Sequence, residues 1–204
     1  AGILRDKTFA KMELDDFTTV LDVHLMGSVN CTKAVWEIMR NQQYGRIVMT
    51  TSSSGLFGNF GQSNYGAAKL ALVGLMQTLS LEGHKYNIRV NSLAPTAATQ
   101  MTEGLMPAEV LEKLKPETVS PGVVFLCSED APSRTILAAG AGSFETAHIT
   151  LTKGVYIGND EDAADQIAAH FAQISDRTGD QVPGMGSAQG QQEISNLIAS
   201  QQKG

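Results

Sequence analysis

The chain has 204 residues, of which 42% are apolar and 18% are charged, and its formal net charge is −6. This length allows one domain with a sizeable core, and the acidic balance argues against nucleic acid or an anionic membrane as a partner. No apolar run could cross a bilayer and the start does not resemble a signal peptide, so we expect a cytoplasmic protein. Cys31 and Cys127 lack metal-ligand spacing, so we expect reduced core thiols and no metal site.

A long helix is predicted after a loop over residues 4–14. It runs from Asp15 to about Arg40, because apolar residues recur there at the helical period: Phe17, Val20, Leu21, Leu25, Val35, Ile38 and Met39. His24 lies seven residues after Phe17, so its side chain is predicted to point inward. A buried imidazole needs polar partners and titrates near neutral pH. We favour a functional role for His24, and a core histidine with satisfied hydrogen bonds is the alternative.

The most informative stretch lies between Arg46 and Lys69. An apolar, β-branched strand is predicted over residues 46–51, followed by Ser52 and a loop with three glycines over residues 55–61. Asn64 is predicted to cap the next helix, which runs to about His84.

The spacing of three polar side chains in this stretch indicates proton chemistry. Tyr65 and Lys69 are four residues apart and therefore share one face of the helix. An ammonium beside a phenol favours the phenolate and lowers its pKa, which makes a tyrosine usable as a general acid or base. Ser52 lies thirteen positions before Tyr65, at a strand end, where its hydroxyl could hydrogen-bond a substrate carbonyl.

The helix over residues 65–84 is apolar on almost every face, so each face should be covered. One face can pack on a sheet, while Gly66 and Gly74 would let another helix approach closely. We therefore expect a homodimer formed through the helices over residues 15–40 and 65–84. Other helices of the same molecule are the alternative cover.

A second buried strand is predicted over residues 88–94, ending at Pro95. Ligands of open α/β sheets bind outside the carboxyl ends of the strands, so Ser52 and Pro95 should face one crevice. Downstream we predict a segment over 103–115 with a helix from Pro107, a helix over 118–128 capped by Ser120, a strand over 135–139, a hairpin over 147–157, a helix over 160–175, a loop over 176–190 and a short helix over 194–200. Residues 1–145 and 146–204 are predicted to be the body and the extension of one domain.

Ser52, the run Tyr65-Gly66-Ala67-Ala68-Lys69 and the run Asn91-Ser92-Leu93-Ala94-Pro95 together resemble the short-chain dehydrogenase/reductase family. The resemblance implies a Rossmann-like α/β fold with a doubly wound parallel sheet. It also implies hydride transfer between a nicotinamide cofactor and a secondary alcohol or ketone. It covers nearly the whole chain, but only the C-terminal half of the family's fold, with a C-terminal extension.

The same resemblance implies which residues meet the cofactor. Tyr65 and Lys69 would contact its ribose end, Pro95 and Thr99 would lie near its nicotinamide, and Ala1 and Gly2 resemble the tail of the signature that ends the family's fourth strand. A glycine-rich phosphate turn does not occur near the start. We therefore expect an N-terminally truncated sequence that neither binds cofactor nor turns over substrate alone. A non-catalytic dimerising fragment is the alternative outside enzymes.

Further features resemble one subgroup of the family: Trp36 and the runs over residues 23–28, 58–62 and 139–142. This subgroup is the (3R)-hydroxyacyl-CoA dehydrogenase domain of the multifunctional β-oxidation enzymes, with their single-domain bacterial relatives. The resemblance implies oxidation of a (3R)-hydroxyacyl-CoA to the 3-oxoacyl-CoA with NAD, or with NADP. A 3-oxoacyl thioester reductase and a steroid or alcohol dehydrogenase are the alternatives.

The resemblance also implies a role for each site residue. Tyr65 would take the hydroxyl proton, Ser52 would hydrogen-bond the oxygen that becomes the carbonyl, and Lys69 would hold the phenolate. His24 stands where most of the family has an asparagine that orders water in a proton path, and it could do similar work.

Overall fold

The computed structural model of the protein describes residues 2–99 and 107–202. The predictions for Ala1 and for residues 103–106 lie outside the described residues. A first compact unit ends at Ala147, and a second unit begins at His148. None of the helices in the described ranges has the length and apolarity that a bilayer span requires.

The first unit is built on a four-stranded sheet. Its strands in chain order are β1 (Gly45–Thr50), β2 (Ile88–Thr96), β3 (Ile136–Gly140) and β4 (Ser143–Ala147). They lie side by side in this order, the first three parallel and β4 antiparallel to β3. The turn between β3 and β4 passes through Ala141 and Gly142, both with positive φ, as common two-residue hairpin turns require.

Helices of the first unit surround this sheet. They are α1 (Leu14–Leu21), α2 (Gly27–Gln42), α3 (Ser53–Phe57), α4 (Ser63–Gly83), α5 (Ala108–Leu111) and α6 (Ser120–Cys127). Short 3₁₀ turns occur at Phe9–Lys11, His84–Tyr86 and Pro116–Thr118. A π-helical turn, Asp22–Met26, joins α1 to α2, so the predicted long helix is present but locally widened.

Both faces of the sheet are covered, because alternate residues of a strand point to opposite faces. The core on the α4 face contains Ile47, Met49, Leu72, Val73, Met76, Ile88, Val90 and Ile136. The core on the α6 face contains Leu93, Val119, Leu126, Leu137 and Ala139. A mostly parallel open sheet with helices on both faces confirms the predicted Rossmann-like α/β fold.

Strand β2 is longer than predicted and includes Pro95. The pairing of β1 with β2 ends at Thr50 and Leu93, and the Thr51 N–H then donates to the Leu93 carbonyl at 2.8 Å. Pro95 lies beyond the end of β1, so its missing N–H removes no hydrogen bond on that side. On the other side, β3 still pairs with it.

Two predicted helix caps and the predicted burial of the thiols are wrong. Asn64 is the second residue of α4, and Ser120 is the first residue of α6. The Ser120 hydroxyl donates to the Pro116 carbonyl at 3.2 Å, one helical turn back, instead of capping. Cys31 and Cys127 are free thiols, but both lie on exposed helix faces rather than in the core.

In its described part, the second unit contains α7 (Ala163–Ala169), α8 (Phe171–Ile174) and α9 (Ser187–Gln201). The hairpin predicted over 147–157 is wrong, because Leu151 pairs with Gln181 in an isolated antiparallel bridge. The helix predicted over 160–175 divides at His170. The last helix is longer than predicted, since the helix-forming Gln and Ala residues of its first turns outweigh Gly190.

Candidate active site

The carboxyl end of β1 leads directly into the candidate site. Ser52 has an extended backbone and caps α3, because its hydroxyl oxygen accepts a hydrogen bond from the Ser54 N–H at 3.2 Å. The loop predicted over residues 55–61 is therefore partly helical. α4 then presents Tyr65 and Lys69 on successive turns of one face, as predicted.

The Tyr65 phenol is half-buried, and burial raises its pKa above the ordinary value. The Ser52 hydroxyl, as a hydrogen-bonding partner, opposes this rise, while the Asp6 carboxylate adds to it. The expectation that Lys69 lowers the pKa of this phenol is wrong for this structure, because the cost of burying a phenolate dominates.

Lys69 is buried, and its ammonium group is directed at the end of β1. Its Nζ donates to the Thr50 carbonyl oxygen at 2.7 Å and lies 5.5 Å from the centroid of the Tyr65 ring. Burial lowers the pKa of Lys69 to about 8. An ammonium carries three donors, so beyond its bond to Thr50 it has capacity for a hydroxyl-rich ligand.

His24 lies in the π-helical turn and is buried, as its inward position predicted. Its ring meets the Tyr65 ring edge-on, with the two centroids 5.1 Å apart. Its Nε2 lies 2.8 Å from the carbonyl oxygen and 3.2 Å from the nitrogen of Ile3, so this main chain can serve either tautomer. Burial lowers the pKa of His24; the Ile3 hydrogen bond opposes this and the Lys69 charge adds to it.

The other residues predicted to meet a cofactor are Pro95, Thr99, Gly2 and Ala1. Pro95 lies in β2, beyond the residues that pair with β1, and Thr99 is exposed beyond the end of β2. Gly2 comes close to the imidazole, because a Cβ atom placed on it would lie 3.4 Å from Cε1 of His24. Ala1 lies outside the described residues.

Two fully buried polar residues beside the site were not assigned to it from the sequence. The Asn64 Oδ1 accepts a hydrogen bond from the Tyr65 N–H at 2.7 Å, and its Nδ2 donates to the Arg5 carbonyl at 3.1 Å. The Thr51 Oγ1 donates to the Lys69 carbonyl at 2.7 Å. The sequence could have indicated both residues, since each of them directly precedes a predicted site residue.

This arrangement suits the nicotinamide-ribose end of a dinucleotide. Ser52, Tyr65 and Lys69 bring two hydroxyl groups and a cation together at the carboxyl ends of β1 and β2, where open α/β sheets bind ligands. The spare donors of Lys69 and the phenol of Tyr65 fit ribose hydroxyls. Within residues 2–99 and 107–202 there is no G-x-G-x-x-G turn for the pyrophosphate.

Comparison with known proteins identifies the class. A family model described as short chain dehydrogenase matches residues 1–110, more than half of the chain. With this match, the doubly wound fold and the cluster of Ser52, Tyr65 and Lys69, the chain belongs to the short-chain dehydrogenase family. Members of this family use a nicotinamide cofactor.

The relatives within the family confirm the predicted resemblance to multifunctional enzymes and to a bacterial protein. The chain is 49% identical over 185 residues to a short-chain type dehydrogenase/reductase of Mycobacterium tuberculosis, covering 90% of this chain and 64% of that protein. It is 52% identical over 145 residues to the peroxisomal hydratase-dehydrogenase-epimerase of Saccharomyces cerevisiae, covering 71% of this chain and 16% of that protein.

A solved structure shows the same architecture. The full-length peroxisomal multifunctional enzyme type 2 from Drosophila melanogaster superposes with a TM-score of 0.88 and 34% sequence identity, over 98% of this chain and 37% of that chain. The chain thus spans less than two thirds of the length of each of these relatives.

Proposed function

We propose that this chain carries the hydride-transfer site of an oxidoreductase that converts a (3R)-hydroxyacyl-CoA to the 3-oxoacyl-CoA with NAD. The observation that carries the proposal is the convergence of Ser52, Tyr65 and Lys69 at the carboxyl end of β1. The substrate class is supported by the similarity to a hydratase-dehydrogenase-epimerase. The preference for NAD over NADP rests on the subgroup resemblance.

Tyr65 is the proton-exchanging group of this proposal. Burial keeps its phenol protonated at neutral pH, so it is ready to donate a proton to a carbonyl oxygen. In the oxidation direction Tyr65 must first lose that proton, which the Ser52 hydroxyl favours by stabilising the phenolate. When Tyr65 then takes the proton of the substrate hydroxyl, the single hydrogen of the Ser52 hydroxyl can turn to the oxygen that becomes the carbonyl. The bound nicotinamide supplies the hydride acceptor.

Lys69 and His24 support Tyr65 from the inner side of the site. The Lys69 ammonium would hold the ribose and stabilise developing negative charge on the phenol. Its Nζ lies 5.5 Å from the centroid of the Tyr65 ring. His24 is held by the Ile3 main chain against the ring of Tyr65, and its lowered pKa keeps it neutral at pH 7. A neutral imidazole can pass a proton by exchanging tautomers, so we assign His24 to the proton path.

We further propose a homodimer, formed through the helices predicted over residues 15–40 and 65–84, in the cytoplasm. Within α4 the exposed residues lie along one side, as a stripe that includes four small or apolar residues beside three polar ones: Ala67, Leu70, Gly74 and Leu81, with Ser63, Thr78 and Glu82. The spacing of this stripe is that of one helix face, and Gly74 leaves open space for a close neighbour.

Turnover measurements with two preparations test the proposal. Because residues 2–99 and 107–202 contain no G-x-G-x-x-G turn for the pyrophosphate, the 204-residue chain should bind neither NAD nor NADP in calorimetry. Joined to the part of the Mycobacterium tuberculosis relative that it does not cover, it should oxidise (3R)-3-hydroxyacyl-CoA with NAD. The variant Tyr65→Phe of this fusion should lose about 10²–10⁴-fold in turnover. Ordinary turnover by this variant would overturn the assignment of Tyr65.

Three substrates separate the alternatives. A fusion that prefers the (3R)-hydroxyacyl-CoA over its (3S) isomer and over an acyl-carrier-protein thioester supports the proposed reaction. A preference for the carrier-protein thioester would indicate the reductase, and a preference for a steroid or simple alcohol would indicate that alternative. A fusion that binds cofactor but converts none of these would favour the non-catalytic dimerising fragment.

A further inference from the structure

Two consecutive residues at the end of β1 form hydrogen bonds with Lys69, one with its side-chain ammonium and one with its main-chain carbonyl. The Lys69 Nζ donates to the Thr50 carbonyl at 2.7 Å, and the Lys69 carbonyl accepts a hydrogen bond from the Thr51 hydroxyl, also at 2.7 Å. Thr51 is 1% exposed, so this second hydrogen bond is shielded from water. The strand end and the helix are therefore joined at the residue that carries the ammonium.

The Thr51 hydroxyl bond is additional to the hydrogen bonds that the secondary structure needs. Lys69 lies inside α4, where its carbonyl is already the acceptor for an N–H one turn later. Thr51 itself is fixed by its N–H, which donates to the Leu93 carbonyl at 2.8 Å. The hydroxyl thus links a residue tied to the sheet with a residue tied to the helix.

The contact between α3 and α4 leaves little freedom around this link. A Cβ atom on Gly55 would lie 2.8 Å from the Leu70 nitrogen and 2.9 Å from the Lys69 Cβ. A Cβ atom on Gly66 would lie 3.1 Å from the Ser54 carbonyl oxygen. Helix α3, which Ser52 caps, is pressed against the two turns of α4 that contain Tyr65 and Lys69.

We propose that Thr51 is a positioning residue for the site. Its hydroxyl donates a hydrogen bond to the Lys69 carbonyl, and its main chain is directly linked to Ser52. It fixes where α4 lies along the end of β1, and so sets the place of Lys69 relative to Ser52. The importance of this placement for hydride transfer rests on the proposed function, but the placement itself is a property of the chain alone. Without the hydroxyl, the Lys69 turn is free to withdraw from β1 and admit water.

The test measures Lys69 directly, in the 204-residue chain and without substrate. Lysine labelled with ¹³C at Cε reports the pKa of Lys69 by NMR titration, with Lys69→Arg used to assign the resonance. Burial is the cause of the lowered pKa, so a helix that withdraws must raise it. We expect Thr51→Val to raise the pKa by about half a unit or more, while Thr51→Ser retains the wild-type value.

A matched control separates positioning from general loss of stability. Ser80 is another buried hydroxyl on α4, and it donates to the Gln77 carbonyl at 2.8 Å. Ser80→Ala should lower the melting temperature without moving the Lys69 titration. An unchanged Lys69 pKa in a folded Thr51→Val variant would overturn the proposal, as would an equal rise in Ser80→Ala.

If Thr51→Val does not fold, Thr51→Ala removes the same hydroxyl without adding a methyl group, and the same rise is expected. Failure of both variants to fold, with Thr51→Ser folded, would show a purely structural role and overturn the proposal. Because turnover is not measured, a chain that lacks the proposed dehydrogenase activity can still pass this test.

Discussion

The Lys69 ammonium lies 5.5 Å from the centroid of the Tyr65 ring, while its hydrogen bond at 2.7 Å goes to the Thr50 carbonyl. Lys69 and Tyr65, which the sequence predicts on one helix face, are thus neighbours, but the ammonium makes its hydrogen bond to the end of β1. Burial favours the neutral form of both side chains, so the pKa of Tyr65 is raised and that of Lys69 is lowered to about 8.

The buried cation of Lys69 should make stability depend on pH. Below pH 8 the ammonium is charged in the folded and in the unfolded chain, and its burial destabilises the fold. Between about pH 8 and 10.5, the unfolded chain retains a proton that the folded chain has released, so the unfolding free energy rises with pH. From about pH 7.5 to 9.5, wild type should gain about 2 kcal/mol relative to Lys69→Met in urea unfolding.

The comparison with Lys69→Met cancels the contributions of titrating groups that the Lys69 charge does not affect, and His24, which it does affect, has a lowered pKa. Measurements should stop near pH 10, because the raised pKa of Tyr65 makes stability fall above the ordinary tyrosine value. Parallel stability curves of wild type and Lys69→Met over this window would contradict the lowered pKa.

Ser52 should matter for turnover far more than its neighbour. In the active fusion, Ser52→Ala removes the hydroxyl that partners Tyr65, and we expect a loss of about 10²-fold in kcat. Ser53 lies on the first turn of α3 and is exposed, so Ser53→Ala is the matched control and should stay within about twofold. Equal losses in the two variants would show that α3, rather than the Ser52 hydroxyl, is what turnover requires.

The main elements of the first unit follow from sequence periodicity. The apolar run before Ser52 and the run before Pro95 predicted two buried strands whose carboxyl ends face one crevice, and the helical spacing predicted the shared face of Tyr65 and Lys69. All of these depend on local pattern, which the chain carries in consecutive residues. The inward direction of His24 was predictable for the same reason.

The errors have a different physical origin. The pKa of Tyr65 depends on how much of the phenol is buried, which spacing along a helix does not reveal. The place of Asn64 inside α4 depends on its contact with Arg5, fifty-nine positions away. The hairpin turn at Ala141 and Gly142 was missed because Ala141 is a rare residue for positive φ.

The packing of α3 against α4 predicts opposite effects for two glycine substitutions. Gly55→Ala would place a methyl group 2.8 Å from the Leu70 nitrogen, and overpacking of this kind costs about 1–3 kcal/mol of unfolding free energy. A Cβ atom on Gly74, inside the same α4, would have no neighbour within 4 Å, so Gly74→Ala should stabilise the monomer by about 0.5–1 kcal/mol. Urea unfolding of both variants checks this, and destabilisation of equal size would contradict the contact at Gly55.

The exposed stripe of α4 is the surface on which the proposed dimer can be tested. Leu70 is 44% exposed on this stripe, next to the open space at Gly74. A glutamate at this position would have to lose its water shell to enter an apolar interface, and its charge would face the same charge of the second copy. Leu70→Glu should therefore raise the dimer dissociation constant by at least about tenfold in sedimentation equilibrium.

The control for this prediction is a substitution of the same kind on another helix. Val124 is 70% exposed on α6, which packs on the opposite face of the sheet from α4. Val124→Glu adds the same charge and removes a similar apolar group, but it should leave the association unchanged if α4 forms the interface. Dissociation caused by Val124→Glu alone would assign the interface to α6 instead. A chain that is monomeric at all concentrations would contradict the dimer itself.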